Sequence, residues 1–201
     1  FKTLITFKNL SNDIPYLLFK EKYERAESAS QKNAEAICIS SYSKNLKEVN
    51  ARFVNLKFVE DKHFIFFSNY ESSKSRDFES HAQITALFYW SSIDTQIRMK
   101  ANIEKTSNDY NQEYFTSRDI HKNALAISSK QSKKIDSYED VQRNYKKSLD
   151  DDDLSICPDH WGGFKFKPYY FEFWEGHKSR LNKREIFKLD NHDWIKYFLQ
   201  P

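Results

Sequence analysis

The sequence predicts a mainly β (α+β) fold, an antiparallel barrel that is closed or partly closed and carries peripheral helices. Strand-like segments outnumber helical ones, and the two kinds do not alternate in the regular order of a parallel α/β sheet. The segment 96–104 alternates polar and apolar side chains, which is typical of a half-buried antiparallel strand. Aromatic residues make up 16% of the chain, so rings must supply much of the core.

The first hundred residues are predicted to begin with a helix and to continue mainly in strands. The helix covers 13–28, because Pro15 suits a first helical turn and an apolar stripe accompanies it. That stripe consists of Ile14, Leu17 and Leu18. The strands are predicted, in chain order, at Ala36–Ser41, Val49–Phe58, His63–Ser68, Ile84–Trp90 and Gln96–Glu104. Between them, the polar segment Glu71–Ser80 is predicted to be helical.

Two helices and four strands are predicted in the remainder. Ser107 can cap a helix over Asn108–Ser117. A capping-box pattern at Ser137–Asp140 starts another helix, which continues to Leu149. The acidic run Asp150–Asp153 is predicted to be a solvated loop. The strands are predicted at Gly163–Lys167, Tyr170–Trp174, Glu185–Leu189 and Trp194–Leu199.

The predicted organisation is one domain over residues 1–201, because neither an internal repeat nor a low-complexity linker divides the chain. Barrel strands are expected at 36–104 and 161–201, on either side of a helical insertion at 107–149. The first residue is Phe1 rather than Met, so an N-terminal arm is expected to be incomplete.

Composition argues against several classes of function. The net charge is +3 and basic residues are interspersed with acidic ones, so no nucleic-acid partner is expected. Apolar runs are too short for a membrane span. Cys38 and Cys157 lack metal-binding or redox spacing, which favours reduced thiols in a cytoplasmic protein. The six histidines show no paired spacing, so no metal site is predicted.

Glycine content limits how a phosphate can be bound. The chain has three glycines, Gly162, Gly163 and Gly176, and nucleotide-binding loops need several at a strand-to-helix junction. A phosphate must therefore be held by Arg and Lys side chains and by ordinary backbone amides. Arg52 and Lys57 are candidates, although each taken alone has the simpler interpretation of a surface charge.

Several separated segments resemble motifs of the pyridoxamine 5′-phosphate oxidase family. They are Arg52–Lys57, Phe66–Lys74, Leu87–Trp90, Gln96–Arg98, Tyr114–Arg118, Ser129–Ser132, Trp161–Gly163, Glu172–Gly176 and Ser179–Leu181. The segments keep the family's order and nearly its spacing from about residue 14 to residue 201. The resemblance implies an FMN-binding split barrel and a homodimer whose two subunits share each flavin site.

The resemblance also implies a set of site residues. The FMN contacts would be Arg52, Phe53, Val54, Lys57, Phe67, Ser68, Lys74, Gln96, Gln131, Ser132, Trp174 and Arg184. A phosphorylated pyridine substrate would contact Lys57, Tyr114, Arg118, Lys122 and Arg180. Catalytic positions would be held by Arg180 and Asn182.

Some positions depart from the family's pattern. Lys122 stands where the family has Ser, which exchanges a hydroxyl contact to phosphate for a charged one. Asn182 stands where the family has His, which removes a group that exchanges protons near neutral pH. Ser73 replaces an Arg beside Lys74, and Leu125–Ile127 replaces the family's Gly-Ala-Trp.

The implied activity is FMN-dependent oxidation of pyridoxamine 5′-phosphate or pyridoxine 5′-phosphate to pyridoxal 5′-phosphate, with O2 as the acceptor and H2O2 as the second product. Two alternatives stay open: a related flavoprotein that oxidises another ring compound, such as a phenazine precursor, and a protein that binds flavin or pyridoxal phosphate without turnover. Since the cofactor carries the main chemistry, Asn182 is expected to slow or retune the reaction rather than abolish it.

Overall fold

The computed structural model describes residues 4–201, which form nine strands and five α-helices. The strands are β1 (Thr6–Lys8), β2 (Ala36–Ser43), β3 (Glu48–Glu60), β4 (His63–Asn69), β5 (Gln83–Trp90), β6 (Thr95–Lys105), β7 (Trp161–Glu175), β8 (Lys183–Asp190) and β9 (Asp193–Leu199). The helices are α1 (Ile14–Ser28), α2 (Ser73–Ser80), α3 (Asn108–Thr116), α4 (Ile120–Ser128) and α5 (Tyr138–Asp151).

Six strands close into an antiparallel barrel in the order β2-β3-β4-β7-β6-β5, and β5 pairs with β2 again. The long strand β3 makes closure possible, because its first part pairs with β2 and its last part with β4. β1 adds to β3 in parallel, while β8 and β9 extend the sheet beyond β7. The predicted fold class, a mainly β split barrel with peripheral helices, is confirmed.

Rings fill the interior of the barrel, as the aromatic composition predicts. Phe64 of β4 stacks on Phe166 of β7 with their ring centroids 5.3 Å apart. The alternation in β6 is confirmed, because its predicted inward face is buried in full: Ile97, Met99, Ala101 and Ile103. The outer face of the barrel carries polar side chains together with exposed apolar ones such as Phe53 and Tyr89, and both clefts described below lie on it.

Helix α1 packs against this core with a face that shares one residue with the predicted stripe. Leu18 of that stripe is partly buried against the core, whereas Ile14 and Leu17 are exposed. The buried face carries aromatic rings instead, and Phe19 lies 5.0 Å from Phe64 between ring centroids. The prediction was wrong because the rings bury more apolar surface than Ile14 and Leu17 would, so the helix is turned toward them. The buried residues of α1 are Pro15, Tyr16, Phe19, Lys22, Tyr23 and Ala26.

Strand β7 is continuous where two strands were predicted. The two predicted strands left residues 168 and 169 between them, and Pro168 has no N–H for the ladder. The register between β6 and β7 shifts by one residue between Lys100 and Ala101, which leaves Tyr169 without a partner directly opposite. This bulge accommodates Pro168, so the strand continues past it.

The predicted caps of α3 and α5 are confirmed. The hydroxyl of Ser107 accepts the N–H of Tyr110, and the hydroxyl of Ser137 accepts the N–H of Asp140. The acidic run is exposed as predicted, but it is not all loop, because Asp150 and Asp151 form the end of α5.

Two elements were not predicted. β1 has three residues and pairs in parallel, so its sequence pattern is too short to detect. α4 begins after Asp119, whose carboxylate accepts the N–H of His121, and this cap was the missed signal. Among residues 4–201, no helix is long and apolar enough to cross a membrane.

Candidate functional site

Most of the predicted site residues line one cleft of about 610 Å³, called the main cleft below. It lies beside β3 and β4 and is bordered by residues of α3 and α4. The predicted residues that line it are Phe53, Val54, Lys57, Phe67, Ser68, Lys74, Tyr114, Arg118, Lys122 and Gln131. Residues far apart in the chain therefore meet at one surface.

Stacked aromatic rings form part of the main cleft. The ring centroid of Phe67 lies 3.9 Å from that of Tyr114 and 5.2 Å from that of Trp161, and the planes are close to parallel. Phe58 meets Tyr114 edge-on at 5.3 Å. Such a wall suits a planar ring ligand, because flat apolar surfaces can stack.

Lys74 supplies a buried cation to the main cleft and is 7% exposed. Its ammonium group donates three hydrogen bonds, all to neutral oxygens: Ser68 Oγ at 2.8 Å, Ser72 Oγ at 3.1 Å and Gln131 Oε1 at 2.8 Å. Burial, with a smaller contribution from nearby Arg52, lowers the pKa of Lys74 to about 8. A buried ammonium held by neutral groups favours an incoming anion, which would offset the cost of burying its charge.

Lys57, Arg118 and Lys122 form a second group of cations in the main cleft, called the cationic cluster below. Burial and then repulsion by Lys122 and Arg118 lower the pKa of Lys57, while Glu35 opposes the shift. The Arg118 guanidinium lies 4.2 Å from the ring centroid of Trp161. Its Nη1 is buried and finds no hydrogen-bond partner in the described part of the chain, so a donor is left for a bound anion.

Three predicted cofactor residues lie elsewhere, in a second cleft of about 330 Å³. Gln96 of β6 stands opposite Trp174 of β7, and Trp174 stands opposite Arg184 of β8, so the three form a row across the sheet. Within residues 4–201, the second cleft shares no lining residue with the main cleft. One described chain therefore holds the predicted flavin contacts on two separate surfaces.

Two predicted cofactor residues line neither cleft in the described chain. The Arg52 guanidinium donates to Ser41 Oγ at 2.7 Å and forms an ion pair with Asp77 at 3.4 Å, so its charge is already partnered. Ser132 is exposed, with its hydroxyl 3.5 Å from that of Ser73 and with a left-handed backbone (φ 69°).

Arg180 and Asn182, the predicted catalytic positions, lie in the turn between β7 and β8 and line neither cleft of the described chain. Arg180 is exposed and adopts φ 60°, a strained conformation for a residue with a side chain. The Asn182 Oδ1 accepts the backbone N–H of His177 at 3.0 Å. Asn182 therefore stabilises the turn that carries Arg180.

Several lining residues stand in the segments quoted for the resemblance but were not predicted as site residues, and two of them contact predicted ones. Trp161 lies beneath Arg118 in the main cleft, and Glu172 lines the second cleft between two arginines. Both occur in the family-like segments Trp161–Gly163 and Glu172–Gly176, and their place in those segments was the available signal.

Two family models match the chain. A family model described as pyridoxamine 5′-phosphate oxidase matches residues 25–147, which is more than half of the chain. The chain belongs to the pyridoxamine 5′-phosphate oxidase family. A second model, the pyridoxine 5′-phosphate oxidase C-terminal dimerisation region, matches residues 161–201. That region includes Trp174 and Arg184 of the second cleft, and the match points to a homodimer.

Curated members of the pyridoxamine 5′-phosphate oxidase family resemble the chain over most of its length. The pyridoxine/pyridoxamine 5′-phosphate oxidase of Colwellia psychrerythraea is 32% identical over 194 residues, which cover 95% of this chain and 88% of that protein. The enzyme of the same name from Burkholderia multivorans is 37% identical over 158 residues, covering 76% and 73%. These relatives place the chain among oxidoreductases.

Solved structures related to the pyridoxamine 5′-phosphate oxidase family share the fold. PhzG from Burkholderia lata, solved in complex with tetrahydrophenazine-1-carboxylic acid, superposes with a TM-score of 0.86 at 22% identity, covering 93% of this chain and 92% of that one. A pyridoxamine 5′-phosphate oxidase-related, FMN binding protein from Nostoc punctiforme gives 0.74 at 12% identity, covering 92% and 95%. At these identities the likeness shows the shared split barrel alone.

Proposed function

We propose that this protein is an FMN-dependent oxidase that converts pyridoxamine 5′-phosphate or pyridoxine 5′-phosphate to pyridoxal 5′-phosphate. The observation that carries the proposal is the main cleft, which combines an aromatic wall with two separate groups of cations, Lys74 and the cationic cluster. Two phosphorylated ring compounds, a flavin and its substrate, require such a combination.

The residues around Lys74 fit the phosphate of FMN. The buried ammonium has only neutral acceptors, and Ser68 and Gln131 beside it add polar groups that orient it. No glycine-rich loop is needed, because a buried cation and hydroxyl groups together satisfy phosphate oxygens. Phe67 and Trp161 offer flat surfaces close by.

The cationic cluster fits the phosphate of the substrate. Arg118 Nη1, which has no partner within residues 4–201, and the ammonium groups of Lys57 and Lys122 supply charge-assisted donors. The Tyr114 hydroxyl adds a neutral donor. Repulsion among the three cations, which helps to lower the pKa of Lys57, would be relieved by a bound dianion.

We further propose that the two clefts are halves of one site formed across a homodimer. Gln96, Trp174 and Arg184 are expected to contact the same flavin as Lys74, yet they line a different surface of the chain. A two-fold axis that places the second cleft of each subunit against the main cleft of its partner creates two equivalent sites. The dimerisation region that matches residues 161–201 supports this arrangement.

Held by Lys74, Ser68 and Gln131, a bound FMN would supply the redox chemistry, which is two-electron oxidation of the substrate carbon coupled to reduction of O2 to H2O2. For the amine substrate, one water is consumed and one ammonia released for each pyridoxal 5′-phosphate formed. The protein's task is to hold the reacting carbon in place. Arg180, on the turn held by Asn182, is proposed to fix the pyridine ring over the flavin. Because an Asn182 amide does not titrate near neutral pH, it has no proton-transfer role in this proposal.

The test is turnover by the FMN-loaded protein in air, with pyridoxal 5′-phosphate and H2O2 measured together. Pyridoxamine 5′-phosphate and pyridoxine 5′-phosphate should give both products in equal amounts. Unphosphorylated pyridoxamine should react poorly, because the cationic cluster then has no anion to bind. Absence of turnover with flavin bound and oxygen saturating rejects the proposal. If a carboxylated ring compound bleaches the flavin and the phosphorylated pyridines do not, the phenazine-type alternative is favoured. If a ligand binds tightly and the flavin is not bleached, a binding protein without turnover is favoured.

A further inference from the structure

Glu172 on β7 is a buried carboxylate, 5% exposed, between two arginines of the second cleft. Its Oε1 accepts a hydrogen bond from Nε of Arg184 at 2.8 Å and forms an ion pair with Nη2 of the same residue at 2.8 Å. Its Oε2 accepts from Nε of Arg98 at 3.1 Å, from Nη2 of the same residue, and from the Tyr170 hydroxyl at 3.1 Å. Both carboxylate oxygens of Glu172 are therefore occupied by contacts within the chain.

We infer that Glu172 is a positioning residue of the flavin site, which fixes the guanidinium groups of Arg184 and Arg98 in the wall of the second cleft. This inference rests on the proposed function, because it assumes that the second cleft contributes to a flavin site. Glu172 acts through the arginines and is not itself expected to touch the flavin.

The hydrogen-bond geometry explains why one carboxylate suffices to orient both arginines. An arginine side chain loses much rotamer freedom when it is fixed, and a two-point contact to a carboxylate sets the plane of the guanidinium. Arg98 stands directly opposite Glu172 in the sheet, while Arg184 approaches from β8 on the other side. The remaining Arg184 Nη1 donates to the Gln200 carbonyl at 3.0 Å, which ties the guanidinium to the chain after β9.

The charge balance explains why the residue must be ionised. Arg98 and Arg184 repel each other, and a carboxylate between them reduces two positive charges to one. Burial by itself would raise the pKa of Glu172, but hydrogen bonds from Arg184 and Arg98 outweigh it, so the pKa lies below its usual value. The same pairing raises the pKa of Arg98. Substitution by the neutral Gln removes this balance while keeping the side-chain shape.

Glu185 on β8 offers a matched control. It is also a buried carboxylate between two cations of the same sheet, with Lys183 at 2.8 Å and Lys196 at 2.5 Å. Neither lysine lines the main or the second cleft of the described chain. A general loss of a buried ion pair should therefore affect E172Q and E185Q alike, whereas a role at the flavin site should affect E172Q alone.

The experiment measures FMN dissociation constants, the midpoint potential of the bound flavin and thermal unfolding of the flavin-free proteins for E172Q and E185Q. E172Q should weaken FMN binding by about tenfold, as expected for releasing a buried charged pair, and should shift the potential in the positive direction, because a negative charge has been removed. E185Q should change FMN affinity by less than about twofold and leave the potential unchanged.

Two further variants keep the test decisive if E172Q folds poorly. E172D retains the charge but shortens the reach, so FMN binding should weaken while the potential stays near that of the wild type. In the R184Q background, E172Q should weaken FMN binding less than it does in the wild type, because the part of its effect that passes through Arg184 is already lost.

Equal effects of E172Q and E185Q, unchanged FMN affinity in E172Q, or additive losses in the double variant would overturn the inference. If the wild type binds FMN and E172Q binds it equally well, only the positioning role fails. If the wild-type protein does not bind FMN at all, the proposed function fails together with it.

Discussion

At the scale of single residues, Lys74 links burial to a pH dependence. Burial lowers its pKa to about 8, so its ammonium is charged below that pH and becomes neutral above it. An anion bound next to Lys74 favours the charged form and raises the pKa again. Above pH 8, FMN binding must therefore be accompanied by uptake of a proton, and affinity must fall as pH rises.

We predict that the FMN dissociation constant is nearly constant between pH 6.5 and 7.5 and rises above pH 8, by up to about tenfold per pH unit. Flavin fluorescence quenching across this range measures it. K74Q should bind more weakly and lose the dependence, whereas K105Q, which changes a lysine paired with Glu79 outside both clefts, should keep it. If the FMN dissociation constant of K74Q rises as steeply above pH 8, a group other than Lys74 is responsible for the pH dependence.

Lys122 carries a second prediction at this scale. K122S restores the hydroxyl of the family pattern and removes one cation from the cationic cluster. Binding of pyridoxal 5′-phosphate should weaken by about fivefold, the equivalent of ~1 kcal/mol for a partly exposed charge. K146S, which removes an exposed lysine from α5, serves as the control. If K122S binds pyridoxal 5′-phosphate more tightly than the wild type, Lys122 does not contribute to phosphate binding.

The sequence predicted residue types and their order better than their partners. Most residues predicted for the site lie together in the main cleft, and most of them come from the family-like segments; their roles stay predictions. Arg52 was predicted at the flavin, but its ion pair with Asp77 depends on how α2 packs against β2 and β3, which no local pattern reveals. Glu172 was not predicted because the search for an anion-binding site considered cationic side chains, whereas the arginines here are held in place by a carboxylate.

At the scale of secondary-structure elements, Asn111 fastens α3 to β7. Its Oδ1 accepts the backbone N–H of Gly163 at 2.8 Å, and its Nδ2 donates to the Tyr70 hydroxyl at 3.0 Å. The approach is so close that a Cβ on Gly162 would overlap both Tyr70 and Asn111. Because α3 also carries Tyr114, this contact positions one wall of the main cleft.

We predict that N111A lowers the free energy of unfolding by about 2–3 kcal/mol, because it leaves buried polar groups without partners. The melting temperature should fall by about 5–10 °C for a chain of this size. N108A, an exposed change on the same helix, is the control and should shift it little. Equal shifts of the melting temperature in N111A and N108A would contradict the conclusion that Asn111 holds α3 against β7.

The strands were predictable and the packing of the helices was not. The alternation of polar and apolar residues predicted β6, and β-rich runs located the other barrel strands to within a few residues. The reason is that successive side chains of a barrel strand point alternately inward and outward. The buried face of α1 and the bulge at Pro168 depend on contacts with distant strands. α4 has only nine residues, and its packing on α5 and the ring of Trp161 stabilises it more than its own pattern does.

At the scale of the whole molecule, the proposed dimer joins the two clefts and involves the C-terminal strands. β9 presents Ile195 and Phe198 to the outside of the described chain, 47% and 60% exposed. Exposed apolar side chains on an outer strand suit burial against another subunit. They lie in the region that matches the family's dimerisation model. Variants that prevent dimer formation are therefore expected to lose flavin binding as well.

The most direct test of a shared site is to mix two variants that each damage one half. K74Q impairs the main cleft and R184Q the second cleft, and each homodimer should bind FMN weakly. After the subunits are exchanged, half of the dimers are mixed, and each mixed dimer has one undamaged site, so about a quarter of all sites should regain wild-type affinity. If no tight sites return although mixed dimers form, each flavin is bound within one subunit and the account is contradicted.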